Sequence, residues 1–127
     1  MAKFLSDTWF EQVTQLTAQA GDLQLPLAVQ NLTINLHITG DVENSHLYFA
    51  QGTLHKGTLE TAQTSLQLSE ELLRKIFFER DVKAAMTGVM FGKIKIQGDM
   101  GQLMALQMLN ASPQHKALFK QILEISE

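Results

Sequence analysis

Phe91-Gly92-Lys93-Ile94-Lys95-Ile96-Gln97-Gly98-Asp99-Met100-Gly101-Gln102-Leu103-Met104-Ala105-Leu106-Gln107 reads as a short strand that turns directly into a helix. Lys93, Ile94, Lys95 and Ile96 alternate polar and apolar, the period of a half-buried strand. Gly98 and Asp99 supply a turn and a helix N-cap, because a carboxylate there can accept one of the first unpaired helical N–H groups. After the cap, Met100, Leu103, Met104, Gln107 and Met108 recur every three or four residues as one apolar stripe with a glutamine inside it. A polar group set in a flexible, methionine-rich face suggests a ligand pocket with a single polar contact.

Upstream, the apolar period alternates between helix and strand. Ser6 and Asp7 open a helix with Trp9, Val13, Leu16 and Ala20 along one side and Gly21 as its stop. From Leu32 the chain alternates cleanly, with Leu32, Ile34, Leu36 and Ile38 on one face and Thr33, Asn35, His37 and Thr39 on the other. Further strands are predicted over 46–51, between Gly52 and Gly57, and over 62–68, and their close spacing predicts an antiparallel meander. Ser69 then caps a helix whose buried side is Leu72, Leu73, Ile76 and Phe77, with Glu70–Arg74 and Glu71–Lys75 as i,i+4 pairs. Asp81 caps another, with Val82, Ala85, Met86 and Val89 expected inward. Ser112 and Pro113 open a last helix carrying Leu118, Phe119, Ile122 and Ile125. The layout is an α+β fold, a sheet with helices packed on it, in one domain over residues 1–127.

Composition narrows the function classes. Of 127 residues, 45% are hydrophobic and 18% charged, which describes a globular chain able to bury a core. With no cysteine, disulfides, thiolate metal sites and cysteine nucleophiles are excluded. No run nears the ~18 apolar residues that cross a bilayer. The N-terminus turns polar too early for a secretion signal, and Ile125-Ser126-Glu127 is not a peroxisomal tripeptide, so a cytoplasmic protein is expected.

A net charge of −3 argues against a dedicated nucleic-acid binder. The charge is uneven: before residue 56 there are five acids and one base, whereas 74–95 holds six bases and two acids. Two readings of the basic segment stand. It is a solvated helix face with ion pairs, or a rim that transiently touches anionic membrane surfaces.

No catalytic constellation emerges. His37, His46, His55 and His115 match no metal-ligand spacing and read as surface residues, so neither a metal nor another cofactor is expected. No serine stands evidently beside a His and an acid, and the paired carboxylates are explained by helix ends. The five internal methionines, Met86, Met90, Met100, Met104 and Met108, fall within 23 residues. They form either ordinary core or a pocket that adapts to several apolar ligands. Gln107 likewise either meets a nearby backbone group or water, or contacts a ligand head group.

The blocks Leu66-Gln67-Leu68-Ser69-Glu70-Glu71-Leu72-Leu73 and Gly92-Lys93-Ile94-Lys95-Ile96-Gln97-Gly98-Asp99-Met100, with Leu106-Gln107, resemble the sterol carrier protein type-two family of non-specific lipid-transfer proteins. Phe4-Leu5-Ser6-Asp7-Thr8-Trp9-Phe10 looks like the entry helix of bacterial members, and Arg80-Asp81-Val82-Lys83 departs from the Asn-Pro-like turn of many relatives. The resemblance implies a five-stranded, mainly antiparallel sheet with helices on one face that enclose an apolar tunnel. It implies non-enzymatic carriage of a fatty acyl lipid, phospholipid, isoprenoid or similar long-chain molecule.

The Met-rich stripe would then face Ile94 and Ile96, with Phe77, Met86, Val89, Met90 and Phe91 completing the walls. Phe119 and Ile122 of the last helix would close the tunnel, either as a movable cover or as permanent wall. The resemblance also allows an accessory or scaffold subunit that presents lipid or quinone precursors to biosynthetic enzymes.

Overall fold

Ser6 lies in extended backbone and its Oγ accepts the Trp9 N–H at 3.1 Å, so helix α1 (Asp7–Ala20) starts at its expected cap. Gly21, at φ +68°, ends it. The computed structural model describes residues 3–25, 27–79, 82–98 and 112–126, without the side chains of 28, 29, 77, 78, 82 and 85. The expected caps at Asp81 and Asp99 and the stripe over 100–108 lie outside the described residues.

A single turn, α2 (Leu27–Gln30), leads into four strands: β1 (Ile34–Thr39), β2 (His46–Ala50), β3 (Thr53–Lys56) and β4 (Thr64–Ser69). β2 and β3 join through Gln51 and Gly52, both at positive φ, the backbone a two-residue hairpin demands. The order across the sheet is β3-β2-β1-β4-β5. The expected meander therefore stops at β3, because β4 returns to pair parallel with β1, Leu36 beside Leu66. The returning segment is fastened by Asn35, whose Nδ2 donates to the Leu59 carbonyl and whose Oδ1 accepts the Leu59 N–H, each at 2.9 Å. The other pairings are antiparallel, so the fold is α+β with a mixed, mainly antiparallel sheet.

Ser69 ends β4 and caps α3 (Glu70–Leu73), accepting the Leu72 N–H at 3.3 Å. The expected pairs Arg74–Glu70 (3.6 Å) and Lys75–Glu71 (3.2 Å) form. α3 widens into a π-helical turn over Arg74–Phe78, closed by Glu79 N–H donating to the Arg74 carbonyl at 3.1 Å. The remaining elements are α4 (Val82–Met90), β5 (Lys95–Gly98) and α5 (Pro113–Ile125), the last capped by Ser112 with Pro113 in its first turn.

Period-2 alternation puts Ile34, Leu36 and Ile38 on one face of β1, all at most 1% exposed, with Leu47 and Phe49 of β2 and Leu66 and Leu68 of β4 beside them. Trp9, Phe10 and Val13 of α1 and Leu118, Phe119 and Ile122 of α5 pack into the same cluster. The opposite face stays polar. There His37 stacks on His46 with ring centroids 4.7 Å apart, and Tyr48 on His55 at 4.9 Å.

Candidate functional site

The deciding stretch begins at the end of α4. Gly92, at φ +71°, donates its N–H to the Val89 carbonyl (3.2 Å), and the Lys93 and Ile94 N–H groups both reach the Gly88 carbonyl, at 2.7 and 3.0 Å. This is a Schellman-type stop, with a left-handed glycine just past the helix. It explains why β5 starts at Lys95 rather than Lys93: the preceding N–H groups are spent on the helix end. Ile94 still turns inward, 6% exposed, against Gly88, where a Cβ would sit 2.7 Å from its Cδ1. β5 then pairs with β4 so that Ile96 lies beside Leu66, and Gly98, at φ +107°, lies against the Gln63 carbonyl.

Ile94 and half-buried Ile96 therefore face the helix side, packed on the cluster to which Leu72 and Ile76 also belong. The other expected wall residues behave differently. Met86 is 58% exposed, Val89 43%, Met90 75% and Phe91 70%. The expectation that Met86 and Val89 point inward is corrected. Gly88 is the buried position where α4 meets Ile94, and Met86 and Val89 lie on other sides of the helix, exposed. The side chain of Phe77 lies outside the described ones, as do Met100, Leu103, Met104, Gln107 and Met108.

The last helix is firmly seated. Phe119 is 6% and Ile122 0% exposed, against α1. Trp9 Nε1–H donates to Ser126 Oγ at 2.7 Å, and Ser126 Oγ donates to the Ile122 carbonyl at 2.6 Å. Ser112 Oγ donates to the Leu23 carbonyl, and His115 Nε2 lies 2.6 Å from the Gly52 carbonyl. His115 is wholly buried, which corrects its reading as a surface residue. The signal was present: residues 115, 118, 119 and 122 follow one helical stripe. Gly52 fits this junction because a Cβ there would meet Leu25 at 2.8 Å and His115 at 3.3 Å. These contacts seat α5 on α1 and on the β2–β3 hairpin.

Two open clefts, of about 320 and 310 Å³, flank Gln51 at the β2–β3 turn, one also lined by Thr17, Leu23 and Leu25 and the other by Tyr48, His55 and Leu59. Neither includes an expected wall residue. Among the described residues no three His, Asp or Glu side chains converge to hold a metal ion, and no helix is long and apolar enough to cross a membrane. At the start of α1, hydrogen bonds from Lys56 (3.0 Å) and Asn44 (3.1 Å), with the Lys56 charge, hold the Asp7 carboxyl below its ordinary pKa.

The fold is thus α+β, a mixed five-stranded sheet with helices packed on it, closed at one edge by the α4–β5 corner. The chain belongs to the SCP-2 sterol transfer family, whose model matches residues 10–110. Among solved structures it is similar to a ubiquinone synthesis protein, UbiJ-SCP2, at 14% identity over 88% of this chain and 96% of that one, TM-score 0.50. Sterol carrier protein 2 like 2 from Aedes aegypti matches at 19% identity over 80% and 95%, TM-score 0.50. The sec-alkylsulfatase Pisa1 from Pseudomonas matches at 22% identity and TM-score 0.45 over 67% of this chain, which spans 14% of that enzyme. No curated protein matches the chain by sequence. Membership in a sterol transfer family suggests lipid binding or transfer as the general activity.

Proposed function

We propose that this protein binds and carries a long-chain apolar molecule, a fatty acyl lipid, phospholipid or isoprenoid, without altering it chemically. The observation that carries the reading is the family match across residues 10–110. The corner geometry supports it, since Ile94 in the turn and Ile96 in β5 both pack on the core cluster directly ahead of the methionine-rich sequence of 100–108. In this reading the two isoleucines and that stripe line the ligand, and Gln107 meets its polar end. Phe119 and Ile122 form fixed wall. Burial of the chain would supply roughly 25 cal/mol per Å² of apolar surface.

Displacement of a fluorescent fatty acid and native mass spectrometry after gentle purification test the reading. Saturable uptake and a co-purified lipid are expected. No uptake, with no lipid retained, would sink it. Gln107→Leu should shift ligand preference toward molecules without a hydroxyl or carbonyl at the buried end.

A second reading, an accessory subunit that presents quinone or lipid precursors to enzymes, is raised by the neighbour named for ubiquinone synthesis. A shared fold does not favour it over carriage. Stable co-purification with several enzymes from native extract would.

A further inference from the structure

The outward side of α4 carries the largest apolar side chains that the described structure leaves in water. Met90 and Phe91 are 75% and 70% exposed, Met86 58% and Val89 43%. The other exposed large apolar residues, Leu27 and Leu123, stand singly on α2 and α5. Scattered single residues need no explanation, but four within six positions form a patch of the kind that marks an interaction surface.

The patch is presented rather than frayed. Phe91 sits at the helix end, where its own N–H reaches the Thr87 carbonyl at 3.0 Å, Gly92 N–H reaches the Val89 carbonyl, and the Gly88 carbonyl accepts the Lys93 and Ile94 amides. The turn could have folded Phe91 back onto the helix, and instead Ile94 takes the inward place against Gly88. A backbone this well bonded holds an aromatic ring outward at little entropic cost on docking.

Charge selects the partner. Lys83 and Lys93 are exposed at the two ends of the patch, and neither pairs with an acid among the described residues. Lys83, Met86 and Met90 follow one line along α4 at steps of three and four. Glu79 is the one described acid between 74 and 98. The patch thus lies in the basic segment of a chain whose net charge is −3. Thioether and aromatic side chains rimmed by lysines are the composition that enters the headgroup region of anionic lipid.

We propose that Met86, Val89, Met90 and Phe91, flanked by Lys83 and Lys93, dock this protein on the surface of an anionic bilayer. Docking of this kind rests on the lipid-binding reading above, because a carrier must meet the membrane it loads from. It places the α4–β5 corner, and with it Ile94 and Ile96, next to the bilayer.

The test uses the full chain with vesicles of phosphatidylcholine alone or mixed with phosphatidylglycerol. Because the chain has no cysteine, Phe91→Cys can carry one environment-sensitive fluorophore, and Glu11→Cys on exposed α1 serves as the remote control. Anionic vesicles should blue-shift the label at 91 and leave the label at 11 unchanged. In unlabelled protein, Met90→Asp should weaken vesicle partitioning by about tenfold. Lys83→Gln and Lys93→Gln should each weaken it by about fivefold on anionic vesicles, with little effect on neutral ones. Matching thermal melts confirm that each variant is folded.

No binding to anionic vesicles, equal shifts at both labels, or binding indifferent to these substitutions would overturn the proposal. So would a concentration-dependent dimer abolished by Met90→Asp without any vesicle dependence, which would make the face a contact between two copies. Uptake of a short fluorescent fatty acid in vesicle-free buffer reads carriage separately, so failure of docking and failure of carriage give different results.

Discussion

The end of the molecule where α1 meets α5 and the corner where α4 meets β5 use apolar side chains in opposite ways. At the first, Trp9, Leu118, Phe119 and Ile122 interlock over the sheet, and polar atoms reinforce the contact through Trp9–Ser126 and His115–Gly52. Trp9 also meets Phe4 and Phe10 edge-on, with ring centroids 5.0 and 4.9 Å away. At the second, backbone hydrogen bonds and close glycine approaches fix the turn, while the large side chains around it face water. One region buries its apolar surface in the core. The other fixes its backbone by hydrogen bonds and leaves its large apolar side chains exposed. The difference teaches that a hydrophobic, helical sequence does not by itself say whether its apolar face is core.

The sharpest way to break this contrast is to truncate each region in turn. Trp9→Ala should cost about 3–5 kcal/mol in denaturant unfolding, the range for emptying a buried aromatic site. A loss below about 1 kcal/mol would mean that the α1–α5 junction is not the anchored end. Gly98→Ala tests whether the corner is fixed through its backbone, since a Cβ there would run into the Gln63 carbonyl at φ +107°. About 3 kcal/mol should be lost, combining backbone strain with overpacking. A neutral outcome would show that the β4–β5 seam yields.

Gly88→Ala is expected to be milder, at about 1 kcal/mol, because displacing Ile94 is partly offset by the better helix propensity of alanine. Stabilisation would mean that Ile94 moves freely. Met90→Ala and Phe91→Ala should leave stability within about 0.5 kcal/mol of the parent, measured by thermal unfolding. A larger loss would show that these side chains pack in solution and would erase the contrast.

The smallest effect concerns the tie between the start of α1 and β3. The folded Asp7 carboxyl is held below 3.8 by Lys56 and Asn44, so its stabilising contribution is complete above that value. The contribution is lost as pH falls through the lower folded value. The stability gap between parent and Asp7→Asn should therefore be constant above pH 3.8 and close below it. A gap that widens on acidification would reverse the assigned sign. High salt should shrink it at neutral pH, because both side chains are more than half exposed.

Local signals in the sequence determined the caps at Ser6, Ser69 and Ser112, the inward faces of β1 and β4, and the i,i+4 pairs of α3. Each depends on residues within four positions, or on strict alternation, so no distant partner is needed. The family, too, was legible in the glycine and lysine block before residue 100. Only the tertiary structure decided that β4 lies parallel to β1, because strand partners are chosen by packing across the chain rather than by the strand's own pattern. It also decided that His115 is core and that Met86, Val89, Met90 and Phe91 face water. An apolar helical stripe is buried only where another element covers it, and the sequence of α4 contains no record of what lies beside it.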